Sequence, residues 1–187
     1  MQYSLGIDPG WASCGLAVYS KPGILFKASY IPRNHGGNIK GFIEKLEKDF
    51  LDHSMQLGTD PIFDTVTIER YVAYKGIHSD ASEAILMLIG ALNYYFEDKG
   101  STIHMVRAID WKPKICKYLV RAKGFDNPYP NFDKRFSLLA AKTLSGLELD
   151  TDHEADAICL SYLGEVDQYN LQREKEKKNV AKSLLEF

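Results

Sequence analysis

Three strand-like segments follow one another in the first thirty-one residues, and no helical period interrupts them. Residues 3–9 and 14–19 alternate or run apolar, with the turn signal Asp8-Pro9-Gly10 between them. Ile24, Phe26, Ala28 and Tyr30 then alternate with period two across 24–31, so three consecutive antiparallel strands are expected. A Gly/Asn-rich loop from His35 to Asn38 leads into Ile39, Phe42, Ile43, Leu46 and Phe50, which recur at helical spacing. Asp64 to Arg70, rich in Val, Ile and Thr, reads as a buried strand. Ala81 to Phe96 reads as a strongly apolar helix and 102–108 as a fifth strand. Shorter helices are expected near 110–122 and 133–144, on either side of the helix-breaking loop Gly124 to Asn131. A last helix starts near Thr151 and carries Ala155, Ile158, Cys159, Tyr162 and Leu163 on its apolar face. The order β-β-β-α-β-α-β-α, with extra helices before the last, predicts an α/β fold: a mixed five-stranded sheet with helices on both faces.

One domain is expected over 1–168, since 187 residues suffice for one full core and not for two large ones. Residues 169–187, with the charged stretch Arg173 to Lys178, are expected as a tail, either a surface helix or disordered. No apolar run approaches the ~18–20 residues of a membrane helix, and the strand-like start leaves no room for a secretory leader. Cys14, Cys116 and Cys159 are odd in number and form no C-x-x-C pair. That excludes a zinc ribbon or a disulfide framework and favours buried free thiols in a reducing cytosol.

The net charge of −2 excludes a generic polyanion binder, yet the charge is unevenly spread. Arg107 to Lys142 holds nine of the 23 Lys/Arg but only three of the 25 Asp/Glu. Such a segment is either a phosphate-facing surface or a solvated helical face.

Acids stand where the surrounding pattern is apolar. Asp8 ends Leu5-Gly6-Ile7, Glu69 ends Val66-Thr67-Ile68, and Asp156 directly precedes Ala157-Ile158-Cys159. A carboxylate at the end of a buried strand is costly unless it is paired or bound to a cation. Several converging from separate elements repel one another, and a divalent metal is the usual remedy. Each has a plainer reading: Asp8 as a turn former, Glu69 paired with Arg70 or Lys75, Asp156 exposed on its helix. Thr151-x-x-Glu154 fits a capping box, and Asp152 sits in the first turn where the helix dipole favours negative charge, so those two acids have structural work. His153 and Asp156 are three apart and share a helix face that can point towards the ends of the Asp8 and Glu69 strands.

Taken in order, Leu5-Gly6-Ile7-Asp8-Pro9-Gly10, Ile68-Glu69-Arg70 and His153-Glu154-Ala155-Asp156-Ala157 resemble the three acidic motifs of RuvC-type Holliday junction resolvases, over roughly residues 3 to 165. The resemblance implies an RNase H-like fold, a homodimer, and paired magnesium-dependent incisions in a four-way DNA junction. It makes Asp8, Glu69, His153 and Asp156 the catalytic and metal-holding residues for two magnesium ions per site, with Asp8 bridging. Many members of that family carry aspartate where His153 stands. Imidazole suits softer ions, which extends the expected metals to manganese. His153 either ligates an ion or steers the attacking water.

The same resemblance puts phosphate-holding lysines closest to Lys112 and to Lys134, with Arg135 beside it. It puts an apolar or aromatic wedge at Tyr71, Val72 and Tyr74, with Lys75 next to them; the plain alternative is aromatics packed on their own domain. Ala81 to Phe96 is expected to serve the core, a dimer interface, or both on different faces. Branched DNA is the implied partner, no membrane is involved, and the implied compartment is the cytoplasm of a bacterial or phage-infected cell.

Other functions fit part of the pattern. Sugar-kinase and actin-like ATPases also open with a strand and an Asp-x-Gly turn, but follow it with Thr or Ser, and here Trp11 follows Gly10. They also close two such domains around ATP. A junction binder without catalysis, a less selective flap or branched-DNA nuclease, and an RNA-processing relative stay open.

Overall fold

A computed structural model describes residues 3–21, 23–34, 38–57, 63–72, 80–149 and 151–185. Its elements run β1 (Ser4–Asp8), β2 (Cys14–Ser20), β3 (Gly23–Tyr30), α1 (Ile39–Leu57), β4 (Thr65–Glu69), α2 (Asp80–Asp98), β5 (Thr102–Val106), α3 (Ala108–Lys123), α4 (Lys134–Ser145), α5 (Asp152–Ser161) and α6 (Leu163–Leu185). The strands form one five-stranded sheet in the order β3-β2-β1-β4-β5. β1 lies at its centre, antiparallel to β2 and parallel to β4, and β5 is parallel to β4. The expected mixed sheet with helices on both faces is therefore found. Most of the loop expected from His35 to Asn38 lies outside the described residues.

Strand side chains alternate between the two faces of a sheet, and that alternation sorts this core. Leu5, Ile7, Cys14, Leu16, Val18, Val66 and Ile68 face α1 and α2, where they pack with Phe42, Leu46, Leu88, Leu92 and Phe96. Residues of the opposite parity, Ala17 and Tyr19 among them, pack with Trp111, Ile115, Phe136, Ala140, Ala157 and Ile158 from α3, α4 and α5. Gly6 and Asp8 on β1, and Thr67 and Glu69 on β4, have the parity that faces the α5 side.

The helix α5 lies directly on the strands because two of their residues have no side chain. A Cβ on Gly6 would run into the carbonyl oxygen of Ala157 and stand 2.5 Å from the amide nitrogen of Ser161. One on Gly15 would collide with the carbonyl oxygen of His153 and stand 2.9 Å from the amide nitrogen of Glu154. Both obstacles are helix backbone, so no rotamer change relieves them. At the start of α5, Thr151 caps the helix by accepting from the Glu154 amide at 3.1 Å, as expected. The Glu154 carboxylate is buried and pairs with Lys27 of β3 at 2.9 Å, which ties the first turn to the sheet edge.

The expected single helix from Thr151 through Leu163 divides. α5 ends at Ser161, where the Tyr162 amide reaches the carbonyls of both Ile158 and Leu160, and α6 begins at Leu163 with Gly164 next to it. The break lets Tyr162, Leu163 and Val166 all enter the same core. Residues 169–185 continue α6, and those described between Leu171 and Glu176 are exposed. Cys14 and Cys159 are buried free thiols as expected, whereas Cys116 is only half-buried because it lies at the margin of the α3 core face. No helix among the described residues is long and apolar enough to cross a membrane.

The glycine contacts make a direct prediction. Overpacking of a core costs about 1–3 kcal/mol, and more where backbone must move. Gly15→Ala is expected to lower stability in urea unfolding by at least about 2 kcal/mol, whereas Gly23→Ala, which meets nothing within 4 Å, is expected to change it by less than about 0.5 kcal/mol.

Candidate active site

Three elements bring ionisable groups to one end of the sheet. β1 and β4 are parallel, with Ile7 level with Ile68, so the next residues, Asp8 and Glu69, leave neighbouring strands side by side about 4.8 Å apart. Both stand at the carboxyl ends of their strands, the edge where open α/β sheets bind ligands. α5, pressed onto Gly6 and Gly15, delivers His153 and Asp156 above them. His153 Nδ1 lies 2.6 Å from Asp8 Oδ2.

The group is partly neutralised from within. Lys112 on α3 stands 3.5 Å from Asp156 Oδ2, with side-chain exposures of 13% and 16%, so this lysine is not the solvent-facing charge of the plainer reading. Glu69 does not pair with Arg70. Its Oε2 accepts the indole N–H of the buried Trp111 at 2.8 Å, because α3 starts beside the end of β4 and turns its apolar face inwards. Asp156 Oδ1 and the Ser137 hydroxyl are both buried and make no hydrogen bond of good geometry, although the hydroxyl is close enough to Asp156 to favour its charged form.

Proximity and burial raise the proton affinity of these groups. Glu69 is pushed up to about 7, chiefly by burial and then by the charges of Asp8 and Asp156, against the Trp111 hydrogen bond. Asp156 is pushed up to about 6, again by burial first, with Lys112 opposing and Asp8 assisting. His153 is raised by its hydrogen bond to Asp8 in spite of its burial. Three acids from three elements thus raise one another's proton affinity, and Lys112 and His153 offset part of their charge.

The flanking residues divide. Lys134 pairs with Asp152 at 2.5 Å, and its ammonium is held above its ordinary range by that contact and, more weakly, by Asp156 and Asp8. It therefore borders the acids. Arg135 turns away, bonded to Asp133 at 2.6 Å and stacked 4.8 Å above the Tyr129 ring. Tyr71 is half-buried against the α1/α2 core and its hydroxyl bonds Ser82 at 3.0 Å, so it packs on its own domain. Val72 is 53% exposed. Tyr74 and Lys75 lie outside the described residues. The basic segment is less free than its charge suggests: Arg107, Lys112, Lys114, Lys134, Arg135 and Lys142 each pair with an acid, while Lys117, Arg121 and Lys123 are exposed. A cavity of about 600 Å³ lies apart from the acids, lined by Ser4, Thr65, Thr67, His104 and Gln168 among others, and shares Trp111 with them.

The donor set suits a divalent cation: carboxylate oxygens, one of them buried, and one imidazole. Among the described residues no three His, Cys, Asp or Glu side chains already stand at ligating separation. Without a cation, Lys112 and His153 take up the countercharge.

Sequence reasoning missed Trp111, Lys27 and the two contact glycines. Only the glycines left a trace, as small residues inside two otherwise apolar strands.

Comparison with known proteins adds to this picture. No protein-family model matches the sequence, and no curated protein matches it. Among solved structures, T. thermophilus RuvC in complex with a Holliday junction substrate is similar over 86% of this chain and 90% of its own, at a TM-score of 0.60 and 15% identity. T. thermophilus RuvC by itself is similar over 86% and 91%, at a TM-score of 0.54 and 16% identity. These neighbours meet the resemblance read from the motifs, and at that identity they show the RNase H-like fold.

The raised proton affinities set the pH behaviour of the metal-free protein. Between 4.5 and about 7 the unfolded chain releases a Glu69 proton that the fold retains, so stability falls as pH rises and the loss is complete above that range. Asp156 acts likewise between 3.8 and about 6. The stabilising His153–Asp8 contact is full below 6.5 and is lost as pH rises through the raised folded value. All three have one sign. The melting temperature of the metal-free protein is therefore expected to drop from pH 5 to pH 8, with Glu69 alone contributing on the order of 2 kcal/mol. Glu69→Gln, which keeps an acceptor for Trp111, is expected to melt higher than the parent at pH 8 and to gain less from added Mn²⁺. A flat parent profile would contradict the burial of these acids.

Proposed function

We propose that this protein is a divalent-metal-dependent, structure-selective DNA endonuclease that acts on four-way junctions. The observation that carries the proposal is the convergence of Asp8, Glu69, His153 and Asp156 at the carboxyl ends of β1 and β4. The fold shared with a RuvC bound to a Holliday junction substrate supports the choice of substrate.

Asp8, Glu69, Asp156 and His153 would hold two magnesium or manganese ions. When bound, such ions relieve charge on the phosphate and lower the pKa of a coordinated water. The residues do the rest. Asp8 accepts from His153 Nδ1, which leaves Nε2 as the nitrogen that ligates an ion or takes a proton from the attacking water. Lys112 and Lys134, released from Asp156 and Asp152, hold the non-bridging oxygens of the scissile phosphate. Val72 approaches the junction centre, Arg135 leaves Asp133 and Tyr129 to bind the DNA backbone, and the products carry 5′-phosphate and 3′-hydroxyl ends. The compartment that fits this reading is the cytoplasm of a bacterial or phage-infected cell.

Two matched cuts require two copies of the site related by symmetry. We assign the dimer to α2, where Leu86, Met87 and Tyr94 recur at helical spacing and are 51%, 58% and 73% exposed. Leu86→Glu is expected to convert a dimer to a monomer in sedimentation equilibrium; a parent that is already monomeric would contradict the assignment.

The test of the function uses a synthetic four-way junction, a flap and a linear duplex, each with Mg²⁺, with Mn²⁺ and with chelator. Paired symmetric nicks on the junction are expected with either metal and none with chelator. Asp8→Asn is expected to reduce cutting by more than about 100-fold while retaining junction binding, since phosphate contacts dominate affinity. Junction binding with no cleavage in either metal would replace the nuclease with a non-catalytic binder, and equal cutting of all three substrates would remove the junction selectivity.

A further inference from the structure

Trp111 is the largest fully buried side chain of the protein, at 1% exposure, and it points its one polar atom at the acids. Its ring packs with Ile115, Leu119 and the α4–α5 core, while Nε1 donates to Glu69 Oε2 at 2.8 Å. A buried indole N–H needs an acceptor, and solvent or a backbone carbonyl would serve. Here the acceptor is a carboxylate of the site. The next residue, Lys112, lies 5.1 Å from the Trp111 ring and bonds the other acid, Asp156. One turn of α3 thus contacts two members of the acid group through two adjacent side chains, and its position is fixed by Trp111, Ile115, Tyr118 and Leu119 in the core.

Resting on the nuclease reading above, we propose that Trp111 is a positioning residue that holds Glu69 Oε2 and so leaves Oε1 as the single oxygen Glu69 offers to a divalent cation. Among the described residues Oε1 has no hydrogen-bond partner, whereas Oε2 has the indole. A carboxylate pinned at one oxygen cannot rotate freely about its last torsion. It meets an ion with one oxygen in one orientation, without the entropy loss of ordering a free side chain. Partners behind ligating groups typically change metal affinity or activity about 10–100-fold when removed.

The experiment removes the N–H and keeps the packing. Trp111→Phe is one variant; the other places 3-benzothienylalanine, an indole isostere with sulfur in place of N–H, at position 111. Mn²⁺ binding is read by calorimetry without DNA, and the Mg²⁺ concentration for half-maximal junction cleavage is read in parallel. Both variants are expected to weaken Mn²⁺ binding by about 10–100-fold and to raise the half-maximal Mg²⁺ concentration, with junction affinity in chelator unchanged. The isostere guards against a folding defect in the phenylalanine variant, since it fills the same volume. If the isostere binds Mn²⁺ as the parent does, the indole is a packing element alone and the proposal is overturned. If the parent itself neither binds Mn²⁺ nor cuts the junction, the nuclease reading fails and carries this inference down with it.

Discussion

The backbone of α5 occupies the volume that side chains at positions 6 and 15 would fill, and the arrangement of the acids follows from that contact. Side chains between packed layers hold them well apart, about 10 Å for one sheet on another. Where the strands present glycine, the carbonyls of His153 and Ala157 come down onto the strand itself. His153 can then reach Asp8 at 2.6 Å, and Asp156 joins the same pocket one turn later. The Lys27–Glu154 ion pair and the Thr151 cap hold the beginning of the helix in that position. Folding and chemistry therefore share one constraint.

The acids gather at a cost that the surrounding residues only partly offset. Burial and mutual repulsion raise Glu69 and Asp156 well above ordinary carboxylates, and Lys112, Trp111 and His153 each oppose that rise or accept the charge. Evenly satisfied networks are stable by themselves; this one keeps a buried oxygen of Asp156 without a hydrogen bond of good geometry. Among the described residues that oxygen has only the Ser137 hydroxyl near it, and the proposed cation would complete its surroundings. Lys112 pairs with Asp156 of the group and Lys134 with Asp152 beside it, so the proposed phosphate contacts would replace both ion pairs.

Much of this is legible in the chain itself. The period-two pattern of the first three strands, the buried run 64–70 and the helical spacing of 81–96 locate the sheet and its covering helices, because those patterns are local. Asp8 and Glu69 stood out as acids closing apolar strands, and His153 and Asp156 as a pair on one helix face. Contacts between distant segments left no such mark. Nothing near Trp111 in sequence announces that its N–H meets Glu69, forty-two residues away, and nothing near Lys27 announces Glu154. Tyr71 was ambiguous for the same reason: a loop tyrosine stacks on a base or packs at home according to whether a hydroxyl such as that of Ser82 is within reach. The break after Ser161 was hidden because Tyr162 and Leu163 continue the apolar pattern across it.

The central claim is that Asp8, Glu69 and Asp156 form a pocket whose repulsion divalent cations relieve. Crystals of the parent protein soaked in Mn²⁺, with anomalous diffraction measured at the manganese edge, test it without reference to any substrate. The account predicts anomalous peaks within ligating distance of Asp8 and of Asp156 Oδ1, with the Lys112 ammonium withdrawn from Asp156. An acid pocket with Lys112 still in place and manganese absent, or bound only at the surface, would contradict it.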